Sequence, residues 1–179
     1  MTQYMKDRSL ALKSDEYGEY YADYIRHVVN SDLMSQLIEN QKSAMELFGS
    51  LDDSKALYRY EEGKWSVKEV LGHVIDTERI FNYRALALAR GEKNPLMGFD
   101  QDLYMEKVDF DRFSMKDIQS QYSVTREFTL SLFGSFSDDE LLSKGVVSGA
   151  PFTVRALGYV IAGHEMHHRS ILKERYHLK

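Results

Sequence analysis

Gly163-His164-Glu165-Met166-His167-His168-Arg169 holds three of the chain's six histidines within one run of helical periodicity. From Val154 onward, Val154, Leu157, Ile161, His164, His168, Ile171 and Arg175 recur at spacings of three and four, the seam that an α-helix turns toward a core. His164 and His168 therefore point inward, one turn apart. Two imidazoles at i and i+4 can hold one divalent metal, because about one turn of rise brings both ring nitrogens within reach of a common point. The rest of the chain must supply the third ligand.

Working outward, Ser66-Val67-Lys68-Glu69 is a capping box, with Trp65 and Val70 placed as its hydrophobic staple. It opens a helix whose stripe is Val67, Val70, Leu71, Val74, Thr77, Phe81, Ala85 and Leu88. His73 lies about 60° from the centre of that stripe, so it looks into the core from the edge and is the candidate third ligand. An earlier helix starts at Ser31, runs through Met34, Leu37, Ile38, Gln41, Ala44, Met45 and Phe48, and stops at Gly49. Residues 51–65 between these two helices read as a loop or short extended piece. Residues 1–30 are polar and tyrosine-rich (Tyr17, Tyr20, Tyr21, Tyr24), like a strap over a surface, and carry no evident chemistry.

Residues 91–113 make a connection well above the roughly 2–8 residues that join antiparallel bundle helices. Such a link permits a crossover that leaves the second and third helices parallel. Ser114 with Asp117, flanked by Phe113 and Ile118, starts the third helix, with a stripe of Met115, Ile118, Tyr122, Thr125, Phe128 and Leu132 ending near Gly134. Ser137-Asp138-Asp139-Glu140 caps one short helical turn, and Gly145 to Pro151 reads as a turn-rich loop. Thr153, with Phe152 and Leu157, opens the fourth helix. The fold expected is an all-α four-helix bundle over a single domain, residues 1–179, an architecture that builds metal sites from facing helices.

Composition narrows the function. The chain has 179 residues, no cysteine and a net charge of −5. That length can bury a core without disulfide or metal staples, so a metal would be functional rather than structural. The missing cysteine removes thiolate zinc sites and any protein thiol nucleophile. Negative net charge without a Lys/Arg cluster excludes a nucleic-acid backbone as partner. With no signal-like apolar core at Met1-Thr2-Gln3-Tyr4 and no run of about 18 apolar residues, no membrane partner and a cytoplasmic location are expected.

Two rival readings of the histidines compete. His164-Glu165-Met166-His167-His168 fits the His-Glu-x-x-His pattern of zinc proteases, with the Glu as general base. Those enzymes take a third ligand downstream, however, and the surrounding chain shows no sheet to form a substrate edge. Glu165-x-x-His168 also resembles half of a di-iron site, which needs a second copy that is absent. His167 lies about 100° around the helix from His168 and reads as a surface residue. His27 and His177 lie in the tails. Asp76 and Glu165 are close enough in sequence to assist the ligands, but read as solvated carboxylates.

The stretch from Gly63 through Arg79, Tyr83-Arg84-Ala85-Leu86, Gly98-Phe99-Asp100 and the run from Val154-Arg155-Ala156-Leu157 to His168 together resemble the DinB-like or YfiT-like superfamily. The resemblance covers the chain from about residue 15. It implies a four-helix bundle with a crossover between helices two and three, a homodimer, and nickel or zinc held by three histidines. Carried onto this sequence, those are His73, His164 and His168. Three neutral imidazoles leave a divalent metal an open position, as in catalytic sites. The resemblance further implies a transferase using a small-molecule thiol such as bacillithiol or mycothiol against an electrophilic substrate, or a metal-dependent hydrolase. A non-catalytic, metal-stabilised binding module is the third alternative.

Overall fold

The computed structural model describes residues 12–28 and 30–178; the remainder of the expected strap, residues 1–11 and Val29, lies outside the described residues. A 3-10 turn (Glu19–Tyr21) leads into α1 (Ala22–Arg26), then α2 (Leu33–Gly49), α3 (Asp53–Ala56), α4 (Val67–Ala89) and α5 (Gln101–Glu106). A second 3-10 turn (Phe110–Arg112) precedes α6 (Met115–Ser135), α7 (Asp138–Leu142), β1 (Lys144–Val147), β2 (Ala150–Thr153) and α8 (Val154–Arg175). The four long helices α2, α4, α6 and α8 form the bundle.

Each long helix starts on a side chain that takes up free backbone N–H groups. Asp32 accepts from Ser35 N for α2, and Thr153 accepts from Ala156 N for α8. Ser66 with Glu69, Ser114 with Asp117 and Ser137 with Glu140 form complete capping boxes. Helix α4 packs against α6 and α8, and α2 against the same two. The side-chain pairs fix the directions. Lys68 reaches the Phe113 carbonyl, Glu78 meets Arg126, and Asn82 meets Thr129, so α4 and α6 run parallel, as the long crossover permits. Trp65 meets Tyr176 while His73 meets His168 and His164, so α4 and α8 are antiparallel.

The core is divided by a polar waist. One apolar cluster gathers Leu33, Phe81, Phe133, Phe152 and Leu157, and the other gathers Phe48, Val70, Ile118, Tyr122 and Leu172. All four helices carry buried polar residues where those clusters meet: Asn40 on α2, His73 and Glu78 on α4, Arg126 and Thr129 on α6, and His164 and Glu165 on α8.

The waist accounts for several departures from the apolar stripes. On α6, Phe128 is 54% exposed and Leu132 only partly buried, while Arg126, Thr129 and Phe133 face inward. On α2, Ile38 is exposed and Asn40 is buried, donating to the Ala162 carbonyl at 2.9 Å. Arg175 is exposed, and Leu172 and Tyr176 fill the core near the end of α8. The expected loop at Gly145 to Pro151 is a two-stranded antiparallel hairpin, so the chain does contain a small sheet. Its turn residues Ser148 and Gly149 have φ of 52° and 79°, the positive pair that suits a tight hairpin. Residues 51–65 include the one-turn α3, and the crossover carries α5.

Candidate metal centre

The waist brings His73, His164 and His168 together. His164 Nε2 stands 3.1 Å from His73 Nε2 and 3.1 Å from His168 Nε2, and one nitrogen from each ring lies within 4.8 Å of the others. Metal–nitrogen bonds of about 2.0–2.1 Å at tetrahedral angles put ligand nitrogens roughly 3.3 Å apart. The donor set therefore fits a divalent ion. A ring nitrogen carries either one proton or one in-plane lone pair, so His164 Nε2 cannot donate to both neighbours. A shared electrophile resolves that conflict.

Burial keeps these imidazoles neutral. It lowers the His73 pKa from 6.5 to about 4. Burial, reinforced by His73 and His167, lowers His168 to about 3, and burial with the neighbouring histidines holds His164 well below its ordinary value. Neutral imidazole is the ligating form, so the rings need no deprotonation at neutral pH. His167 is half-buried and stacks edgewise on the Tyr24 ring at 5.2 Å, apart from the three converging nitrogens. His27 and His177 are exposed.

Two aromatic walls enclose the cluster. The Trp65 ring lies 5.0 Å from His73, and the Tyr24 ring lies 5.3 Å from His164. Tyr24 belongs to α1, whose backbone presses directly on α8. A Cβ on Gly163 would sit 1.9 Å from the Tyr24 carbonyl oxygen, so glycine is required beside His164 for the strap to seat. Sequence reasoning gave the strap no role; here Tyr20, Tyr21 and Tyr24 line a cavity of about 560 Å³ that opens on His164. Thr77 and Phe81 line it from α4, and Thr77 Oγ1 is buried there with no hydrogen-bond partner. A smaller cavity of about 200 Å³, with Trp65 and Tyr176 in its wall, adjoins His168 on the other side.

Glu165 departs from its expected solvated position. It is 3% exposed and held by Arg126, by Arg169 at 3.1 Å and by the Tyr122 hydroxyl at 2.9 Å. Arg126, itself 0% exposed, also grips Glu78 through Nε and Nη2, each at 2.8 Å. Burial alone would depress the Arg126 pKa, but Glu165 and Glu78 outweigh it and raise it. So tied, Glu165 is not free to act as the base of a His-Glu-x-x-His protease. Asp76 is partly buried, which raises its pKa, and it pairs with Arg79 at 3.1 Å. The carboxylate lining the cavity at His164 is Asp100, whose side chain accepts from Asp102 N and Leu103 N at the start of α5.

Comparison with known proteins agrees with this architecture. The model of the DinB superfamily matches residues 36–172. Among solved structures, the chain is similar to YfiT from Bacillus subtilis, described as a probable metal-dependent hydrolase with an unusual four-helix bundle topology. The TM-score is 0.64 at 18% identity, over 94% of each chain. No curated protein matches the sequence. Among the described residues, no helix is long and apolar enough to cross a membrane.

Proposed function

The chain belongs to the DinB superfamily, and on that premise we propose a divalent-metal-dependent transferase using a low-molecular-weight thiol cosubstrate, with His73, His164 and His168 as ligands to nickel or zinc. The observation that carries this reading is the convergence of three buried, neutral imidazoles beside a cavity large enough for a small molecule. A divalent ion held there supplies positive charge that acidifies a thiol or water and polarises an electrophile.

The chain's own residues favour the thiol. Glu165 is locked in ion pairs and Asp100 caps a helix, so neither is placed to take a proton from water. A thiol ionises near pH 8.5 unaided and needs less help. In the transfer, the sulfur–carbon bond forms as the bond to the leaving group breaks. The leaving group departs with the electron pair, and the thiol proton goes to solvent. Tyr21, Tyr24 and Phe81 exclude water from the electrophile, and the Thr77 hydroxyl is available to orient it.

The description of YfiT supports a hydrolase as the second reading. A turnover screen separates them: halogenated aromatics with bacillithiol, mycothiol or glutathione, and esters or amides without thiol, each with metal-loaded and chelated protein. Metal-dependent consumption of the electrophile only when thiol is present supports the transferase. Metal-dependent hydrolysis without thiol overturns it, and silence in both arms favours the binding module. We further propose a homodimer, supported by exposed Tyr83 (63%), Val124 (64%) and Phe128 (54%) on the adjacent helices α4 and α6. Sedimentation of wild type and Phe128→Asp tests it.

A further inference from the structure

Arg84, in the C-terminal half of α4, is a buried cation with an unsatisfied guanidinium nitrogen. Its side chain is buried, at 2% exposure, between the rings of Phe81 and Phe99, whose centroids lie 5.0 and 5.5 Å from its Cζ. Nη2 donates to the Met97 carbonyl at 2.8 Å and to Ser148 Oγ at 3.2 Å, and the Tyr21 side chain lies close enough to favour the charged guanidinium, but Nη1 itself makes no hydrogen bond. Among the described residues no carboxylate pairs with it, in contrast to Arg126, which has two. A guanidinium stays charged even when burial pulls its pKa down, as it does here. Leaving such a charge buried and unpaired is costly, and replacement by an apolar side chain would relieve it.

The position relative to the histidines suggests what the charge is for. His73, Thr77, Phe81 and Arg84 follow one another at spacings of four, four and three, a single face of α4. Thr77 and Phe81 line the cavity at His164, and Arg84 lines a neighbouring cavity of about 620 Å³. The two cavities share Gly98 and Phe99 as wall, so they adjoin. Eleven residues of helix rise put Arg84 roughly 16 Å along the axis from His73. The crossover segment meets the guanidinium through the Met97 carbonyl, and Leu96 beside it exchanges backbone hydrogen bonds with Val146 and Ser148, while the Met97 side chain is 87% exposed.

We propose that Arg84 anchors a terminal carboxylate of an elongated, partly aromatic substrate whose other end reaches the three-histidine centre. The inference deepens the proposed function, since it takes that centre as the reacting end. A carboxylate that accepts from the idle Nη1 donor neutralises the buried charge. The Phe81 and Phe99 rings and the Tyr21 side chain supply the apolar and aromatic surface between the two ends. Such a site rejects the uncharged isostere, because the guanidinium is then left buried without a counter-charge.

The test pairs 4-phenylbutyrate with 4-phenylbutyramide, which share ring and chain and differ at the end, a charged carboxylate against a neutral carboxamide. Binding is followed by NMR in both metal-loaded and chelated protein. The carboxylate is expected to bind at least tenfold more tightly than the amide in both forms, and Arg84→Gln to bring the ratio to about one. In the wild-type protein the Arg84 side-chain nitrogen resonance is expected to shift with the carboxylate and not with the amide, a readout that holds even if Arg84→Gln fails to fold. Equal affinities, no binding of either probe, or an unmoved Arg84 resonance overturns the proposal. So does a preference that vanishes on chelation, which would place the carboxylate on the metal. Because the chelated arm needs neither metal nor turnover, it can fail or succeed independently of the transferase reading.

Discussion

Gly163→Ala isolates the seating of the strap on the helix that carries two of the three histidines. In an exposed helix this change stabilises by about 1 kcal/mol, since alanine is the better helix former. Here the added Cβ would meet the Tyr24 carbonyl oxygen at 1.9 Å and its carbon at 2.5 Å, where ordinary contact begins at 3.4 Å. Backbone cannot swing aside as a side chain can. The strap must therefore retreat by about 1.5 Å, the difference between 1.9 and 3.4 Å. Strain of this kind costs about 1–3 kcal/mol. Should α1 instead detach, Ile25 and Val28, now 2% and 1% exposed, lose their burial. That sets an upper cost of about 3–6 kcal/mol at about 1.5–3 per side chain. Less the helix gain of about 1 kcal/mol, the net expectation is a loss of about 0–2 kcal/mol if the strap retreats and about 2–5 kcal/mol if α1 detaches, read as a fall in Tm of roughly 2–4 °C per kcal/mol for a chain of this size. Amide exchange of residues 19–28 should rise. Two internal controls calibrate the measurement. At Gly72 the nearest atoms to an added Cβ belong to the buried Phe110 ring, at 2.5 Å, and a ring can shift where backbone cannot, so Gly72→Ala should cost less than Gly163→Ala. Gly49→Ala meets nothing within 4 Å and should be neutral or stabilising. A Gly163→Ala protein as stable as wild type, with unchanged protection over 19–28, would refute the reasoning.

Other consequences follow from the waist. Arg126→Met strands Glu78 and Glu165 in the interior, and a loss of about 3–5 kcal/mol is expected in urea denaturation; a loss below about 1 would mean that the network is not the buried one described. The three histidines have folded pKa values below the ordinary 6.5, so the unfolded chain binds more protons in the interval between. Chelated protein should accordingly hold this stability above about pH 6.5 and lose it on acidification toward pH 4 and 3, by up to about 1.4 kcal/mol per pH unit for each histidine. His73→Asn should flatten that slope, and a stability that rose on acidification would contradict the assignment. Chelation of metal-loaded protein at neutral pH should lower Tm yet preserve the helical circular dichroism, because two apolar clusters and three capping boxes hold the bundle without it. Loss of most helix would make the metal structural.

What could be read from the sequence was what is local. The capping boxes at Ser66, Ser114 and Ser137 span four residues each, and the structure has all three. The phase of one helix placed His164 and His168 on the inward seam, and the edge position of His73 brought it to the same point. The length of the 91–113 link allowed the parallel pairing of α4 with α6. What the sequence hid is what depends on distant partners. Arg126 and Glu78 lie 48 positions apart, so a stripe drawn from apolar residues passed over Arg126 and took Phe128 in its place. Glu165 looked solvated because its partners Arg126 and Tyr122 lie 39 and 43 positions away. The hairpin was legible in principle: Ser148-Gly149 between Val147 and Ala150 is a turn signal, but turn residues over so short a stretch read equally as a loop. The strap gave no warning, since tyrosines without periodicity do not announce a cavity wall.

Metal stoichiometry of wild type and single histidine variants tests the central claim most directly. One divalent ion per chain is expected for wild type and for His167→Ala, and none for His73→Ala, His164→Ala or His168→Ala, with each variant checked for its helical spectrum. Retention of stoichiometric metal by any one of those three, or its loss in a folded His167→Ala, would contradict the three-histidine centre.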